Sequence, residues 1–178
     1  ITAYTEPQEE HLPAPCPHPA PEHINVYSDG SWKLGLFKWT GLGAAAAWWP
    51  GRQEHTHAPS PAELRLGHIE ADTGGMQISA RVSGFGGSST RTELAAAILA
   101  IAANGPVHLG TDSAAFRDKA LQVLQDIIAA PIGPSAFNWT MHTNGDLWIL
   151  FETAARAKGA HAIAVTKVKG HADQDDID

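Results

Sequence analysis

Residues 76–112 read MQISARVSGFGGSSTRTELAAAILAIAANGPVHLGTD, and the succession of patterns inside them decides the fold. Met76, Ile78, Ala80 and Val82 alternate with Gln77, Ser79, Arg81 and Ser83, which predicts a strand with one wet face. Gly84, Gly86 and Gly87 break that strand. Leu94, Ile98 and Ile101 then fall at i, i+4 and i+7, the spacing of one helical face, and Thr90 with Glu93 reads as a capping-box pair at its start. Asn104-Gly105-Pro106 stops the helix, and Val107 to Thr111 is a short buried strand. Strand, helix and strand in quick succession set the layout as α/β.

Outward from this segment the same rules place the remaining elements. Ile24-Asn25-Val26-Tyr27 alternates and runs into Asp29-Gly30, a strand meeting a turn. Gly43 to Trp49 is a small-residue and aromatic run ended by Pro50-Gly51, a second strand. The polar connection 52–74 carries His55, His57, Pro59 and Pro61, with room for a short strand near 64–69. Beyond Thr111, a helix is predicted over 113–130 with Phe116, Ala120, Val123 and Ile127 on one side. After a loop at 131–143, a further helix covers 144–158, its stripe Leu147, Leu150, Phe151 and Ala154, with Gly159 past its end and Trp148 in the core. A last strand, 162–168, reaches Gly170-His171. The order β-β-β-α-β-α-α-β predicts a mixed five-stranded sheet with helices on its faces.

The chain has 178 residues, which suits one core. It contains no apolar run long enough to span a bilayer and no signal-peptide pattern, which points to an intracellular protein of cytoplasm or nucleus with no membrane partner. The lone Cys16 fits a reducing compartment, and with His11 and His18 it matches no zinc spacing. Residues 1–23, with six prolines, read as an extended linker or tail, and the domain as 24–178. A first residue of Ile suggests a piece of something longer.

The net charge of −7 is unusual for a nucleic-acid binder. Four of the acids, Glu6, Glu9, Glu10 and Glu22, belong to the Pro-rich segment, which has no Lys or Arg. Cations held by other acids would offset part of the rest.

Acids recur at element ends. Asp29 closes the first strand, Glu93 lies in the first turn of the first helix and Asp112 closes the fourth strand. In a mixed sheet the ends of those strands can be neighbours, with the helix packed across them. Three carboxylates so placed repel unless a cation neutralises them, and an all-oxygen set suits Mg²⁺ or Mn²⁺. Each acid also has an ordinary structural role: a turn dipeptide at Asp29-Gly30, the capping box at Glu93, an N-cap at Asp112.

Five stretches together resemble the type 1 ribonuclease H family: Tyr27-Ser28-Asp29-Gly30-Ser31, Thr90-Arg91-Thr92-Glu93-Leu94-Ala95-Ala96, Gly110-Thr111-Asp112-Ser113, Asn144-Gly145-Asp146-Leu147-Trp148 and Val168-Lys169-Gly170-His171-Ala172. They stand in the family's order over residues 24–172. The resemblance implies a ribonuclease H-like fold and an endonuclease that cuts the RNA strand of an RNA–DNA hybrid, leaving 5′-phosphate and 3′-hydroxyl ends. It implies that Asp29, Glu93 and Asp112 hold two Mg²⁺ ions, or Mn²⁺, and that His171 assists proton movement or product release. Gly30, Ser31, Ser88, Ser89 and Thr90 would touch the RNA strand, where the 2′-hydroxyl distinguishes RNA from DNA.

The chain also departs from the family. The fourth metal-site carboxylate, on a helix beyond the histidine loop, has no counterpart in its usual context, and Asp173, Asp175, Asp176 and Asp178 read as a solvated tail. The loop 131–143 has no Lys or Arg where the family often has a basic helix. Both fit a domain of a reverse-transcribing element, possessing a covalently linked polymerase as partner, and they keep open a catalytically weak scaffold module. A 3′–5′ exonuclease of the wider superfamily would need an acid two residues after Asp29, where Ser31 stands. Gly41-Leu42-Gly43-Ala44-Ala45-Ala46 fits a dinucleotide-binding string, but Trp48-Trp49-Pro50-Gly51 denies it the helix that fingerprint requires. His55 and His57 have no matching Cys or His pair and read as surface residues.

Overall fold

The computed structural model describes residues 12–35, 41–52, 57–82 and 87–170. Strands β1 (Val26–Lys33), β2 (Leu42–Trp49), β3 (Gly67–Ile69), β4 (Met76–Val82), β5 (Val107–Thr111) and β6 (Ile163–Lys167) form one sheet, ordered β3-β4-β2-β1-β5-β6. The first four pair antiparallel, whereas β1–β5 and β5–β6 are parallel. Helices α1 (Pro61–Leu66), α2 (Ser89–Ala102), α3 (Ala114–Ala129) and α4 (Gly145–Lys158) complete the order. The α/β class and mixed sheet are as read from the sequence, with six strands in place of five. The added strand and α1 come from the connection 52–74, where three paired residues are too few to show a period of two.

Alternation along the strands sends one side chain set into a common core. Val26, Ala47, Trp49, Met76, Ile78, Leu109 and Val165 meet Leu94, Ala97 and Ile101 of α2, Phe116 and Val123 of α3, and Trp148 and Phe151 of α4. The three long helices therefore cover the same side of the sheet, rather than both sides. On the opposite side Tyr27 and Trp48 lie partly exposed with rings 6.1 Å apart.

Small residues bring α2 unusually close to β1 and β2. A Cβ on Gly30 would lie 2.5 Å from the Thr92 carbonyl carbon, and one on Gly43 would lie 2.8 Å from Thr92 Cγ2. Any side chain at Gly30 would push the helix away. Ala96, Ala97 and Ala100, all fully buried, do the same from the helix side.

Residues 12–23, read as a linker or tail, lie against the domain where they are described. The Cys16 N–H donates to the Lys158 carbonyl at 2.8 Å, the Ala20 N–H donates to the His161 carbonyl at 3.0 Å, and Cys16 is buried. His108 Nδ1 sits 2.9 Å from the Pro21 carbonyl oxygen. Such a strap carries no apolar periodicity, which is why the sequence does not announce it.

Candidate functional site

Asp29, Glu93 and Asp112 come from three elements that converge at one corner. The parallel register pairs Tyr27 with Gly110, and two residues further along the same strands stand Asp29 and Asp112. Asp29 lies within β1 and does not close it, because β1 pairs with β2 as far as Lys33. Glu93 enters from α2 above, and its Oε1 accepts the Gly30 N–H at 3.0 Å. The close packing of α2 on Gly30 is what permits that bond.

Two sequence expectations about caps are corrected here. The N-cap of α2 is Ser88, whose hydroxyl accepts the Arg91 N–H at 3.2 Å; Thr90 and Glu93 form no capping box. The N-cap of α3 is Ser113, so Asp112 caps nothing. Both errors are offsets within runs of Ser and Thr, where several residues suit the role. Neither Glu93 nor Asp112 is therefore spent on a helix cap.

The electrostatics of the corner are uneven. Glu93 is 8% exposed, whereas Asp29 and Asp112 are exposed. Burial pushes the Glu93 carboxyl up to about 7, the Gly30 hydrogen bond opposes this, and the negative charges of Asp112 and Asp29 add to it. Its second oxygen, Oε2, is buried with no hydrogen-bond partner. An orphaned buried carboxylate oxygen is costly and uncommon. The Glu93 carboxyl lies within the field of two further carboxylates, and this donor chemistry suits a hard divalent cation. The three side chains are not drawn into a closed ligand set: among the described residues no group of three or more His, Cys, Asp or Glu is placed to hold a metal.

The other sequence-predicted residues distribute around this corner. Ser31 follows Gly30 on β1 and is exposed. Ser88 caps α2, and Ser89 and Thr90 are exposed on its first turn. Gly170 passes against Asp112, since a Cβ there would lie 2.7 Å from Asp112 Oδ2. His171 lies outside the described residues, as do His11 and His55. Trp148 is buried in the core, stacked on Phe116 at 5.9 Å.

Two features escaped sequence reasoning. Arg91, in the motif around Glu93, binds Asp146 through both guanidinium nitrogens at 2.9 and 2.6 Å, joining α2 to the start of α4. Their opposite charges at residues 91 and 146 are too distant in sequence for any spacing rule. Lys119 is also not a free surface cation: its Nζ lies 5.1 Å from the centre of the Trp139 ring and 3.1 Å from His142 Nδ1.

No family model and no curated protein matches the chain. Solved structures similar to it include the foamy viral protease-reverse transcriptase in complex with dsDNA, at TM-score 0.48 and 12% identity, over 84% of this chain and 83% of that one. LC9-RNase H1, described as a type 1 RNase H with the type 2 active-site motif, aligns at TM-score 0.47 and 18% identity, over 83% of this chain and 63% of that one. The PFV RNase H domain aligns at TM-score 0.48 and 16% identity, over 84% and 81%. Of the native Prototype Foamy Virus protease-reverse transcriptase, this chain spans 19% of the length.

Proposed function

We propose that the chain is a metal-dependent endonuclease that hydrolyses the RNA strand of an RNA–DNA hybrid, leaving 5′-phosphate and 3′-hydroxyl ends. The observation that carries this reading is the convergence of Asp29, Glu93 and Asp112 with an unsatisfied Glu93 oxygen among them. In this reading the three carboxylates hold two Mg²⁺ ions, or Mn²⁺, which when bound would activate the attacking water and stabilise the leaving 3′ oxygen. The five motifs support it in sequence.

The remaining roles belong to the chain itself. The Gly30 N–H fixes one Glu93 oxygen and leaves the other turned to the ligand. Gly30, Ser31, Ser88, Ser89 and Thr90 border the corner on one side and would contact the RNA strand, with the 2′-hydroxyl as the group that selects RNA. His171 would take up or release a proton as product leaves. A covalently linked polymerase domain would supply hybrid affinity that the uncharged loop 131–143 does not.

A second reading, a ribonuclease H-like module retained as a catalytically weak scaffold, draws on the open arrangement of Asp29 and Asp112. One assay separates the two. The chain is incubated with a labelled RNA–DNA hybrid in Mg²⁺ and in Mn²⁺, beside EDTA, Asp29→Asn and Glu93→Gln. Metal-dependent RNA cleavage, reduced at least ~100-fold in either variant, is expected. Hybrid binding without cleavage in either metal would select the scaffold.

A further inference from the structure

We propose that Trp32 is a positioning residue of the carboxylate corner: its indole sets the height at which the N-terminal end of α2, and with it Glu93 just beyond the first turn, rests on β1. The proposal rests on the nuclease reading above for its catalytic consequence, but the geometry stands apart from it.

Trp32 follows Asp29 by three residues and shares the helix-facing side of β1 with Gly30. Its ring is met by three glycines from two parts of the chain, Gly41 and Gly43 at the start of β2 and Gly87 before α2. A Cβ on Gly41 would lie 2.6 Å from Cη2, one on Gly87 would lie 2.5 Å from Cζ2, and one on Gly43 would lie 3.1 Å from Cε3. Ordinary carbon–carbon contacts begin near ~3.5 Å, so both segments have closed onto the ring as far as bare backbone allows. A bulky residue enclosed by glycines is a spacer of fixed thickness.

What the spacer separates is informative. Gly43 is the cross-strand partner of Trp32 and also abuts Thr92, the residue before Glu93. Gly87 immediately precedes Ser88, the N-cap of α2. The indole therefore touches β2 on one flank and the entry to α2 on another. At Gly30 the helix comes down because nothing is in the way; at Trp32 it is held off because a large ring is. The hydrogen bond to Glu93 is donated at the first of these points, two residues before the second. A plain core plug would not need three glycines around it, nor would it be half-buried at the rim of the acidic corner.

The test uses Trp32→Ala, Trp32→Phe and Gly87→Ala, the last keeping the tryptophan while forcing a methyl against it. Thermal stability and hybrid cleavage are measured for each, together with exchange of the Gly30 amide proton in the metal-free, substrate-free protein. With Trp32→Ala, kcat is expected to fall ~10- to 100-fold, because small misplacements of reacting groups are costly, while KM stays within about threefold. The Gly30 amide should exchange faster, Trp32→Phe should restore most of both, and Gly87→Ala should lower kcat despite the intact indole. Lowered stability with unchanged kcat and an unmoved Gly30 amide would overturn the proposal and make Trp32 a core plug. If the unmodified chain cleaves nothing, the nuclease reading fails, and the Gly30 amide alone decides whether Trp32 seats Glu93.

Discussion

Each end of α2 keeps a buried glutamate, and the two reach opposite conditions. Past its C-terminal end, Glu63 is 4% exposed and accepts from Arg52 Nη2 at 2.7 Å, Arg52 Nε at 3.2 Å, the Asn104 N–H at 2.8 Å and the Ser60 N–H at 2.8 Å. Lys158, fully enclosed beside it, donates to the carbonyls of Ala103 and Gly105, and Arg52 donates to that of Asn104. Two cations thus serve the carbonyls of the C-cap residue and of the turn just beyond it, at the end where the helix dipole favours positive charge. At the N-terminal end Glu93 is nearly as buried but has one donor, an empty second oxygen and two further acids for company. A saturated cluster is a clasp. An unsaturated one, held in place by close packing, leaves a buried carboxylate oxygen without a partner.

The sharpest way to break this comparison is to make one substitution at both ends. Glu63→Gln removes the charge facing buried Arg52 and should destabilise the fold by about 3–5 kcal/mol, as expected when one partner of a buried pair is lost. Glu93→Gln keeps an acceptor for the Gly30 N–H and removes an unfavourable buried charge. It should stabilise by about 1–3 kcal/mol at pH 8, since each pKa unit is worth ~1.4 kcal/mol. Urea unfolding of both variants measures this. Destabilisation by Glu93→Gln of the same size as Glu63→Gln would mean the two ends are alike, and would remove the strain argument for a site.

The ends should also respond to pH in opposite senses. Burial raises Glu93 from an ordinary value of 4.5 to about 7, so between these values the folded chain holds more protons than the unfolded one. Its contribution is present below about 4.5 and is lost as pH rises through about 7. Burial lowers Lys158 from 10.5 to about 8, although the charges of Cys16 and Glu63 oppose that. There the unfolded chain holds more protons, so this contribution is present above 10.5 and is lost as pH falls through about 8. Melting curves across pH 4.5–7 and 8–10.5 should show a falling and a rising component, abolished by Glu93→Gln and Lys158→Met respectively. Addition of Mg²⁺ should flatten the acid-side slope only. A metal effect on the alkaline slope would place the cation elsewhere.

How far the sequence discloses each end follows from the same physics. Periodicity reports burial, so β4, α2, β5, α3 and α4 were legible within a few residues, and with them the corner where Asp29, Glu93 and Asp112 gather. The clasp was not. Arg52, Glu63, Asn104 and Lys158 are polar residues without a period, brought together by long-range topology, and the helix bearing Glu63 has only six residues. The strap through Cys16 escaped for a like reason, being held by backbone hydrogen bonds that any sequence could donate. Cap positions slipped by two residues at Ser88 and one at Ser113, where neighbouring hydroxyls made the choice degenerate.

The smallest expected effect tests whether the N-terminal end owes its shape to packing alone. Asp146 is held by Arg91 in a two-bond pair between α2 and α4, which lowers the Asp146 carboxyl, chiefly through the hydrogen bond from Arg91. The Asp146 side chain is nevertheless 63% exposed, so water and salt screen the attraction. Asp146→Asn should therefore cost about 0–1 kcal/mol at neutral pH. What remains of that cost should begin to fall below the ordinary aspartate value of 3.8 and disappear only once pH has passed the lowered value of the folded carboxyl, where wild type is protonated too. Hybrid cleavage should change less than about twofold, a rate equivalent of ~0.4 kcal/mol, because Glu93 is seated by Gly30 and not by this pair. A loss well beyond 1 kcal/mol, or a tenfold fall in kcat, would show that α4 fixes the first turn of α2 as firmly as the sheet does. The carboxylate corner would then depend on a surface ion pair, and any cleavage would become sensitive to ionic strength in a way that packing against glycine cannot be.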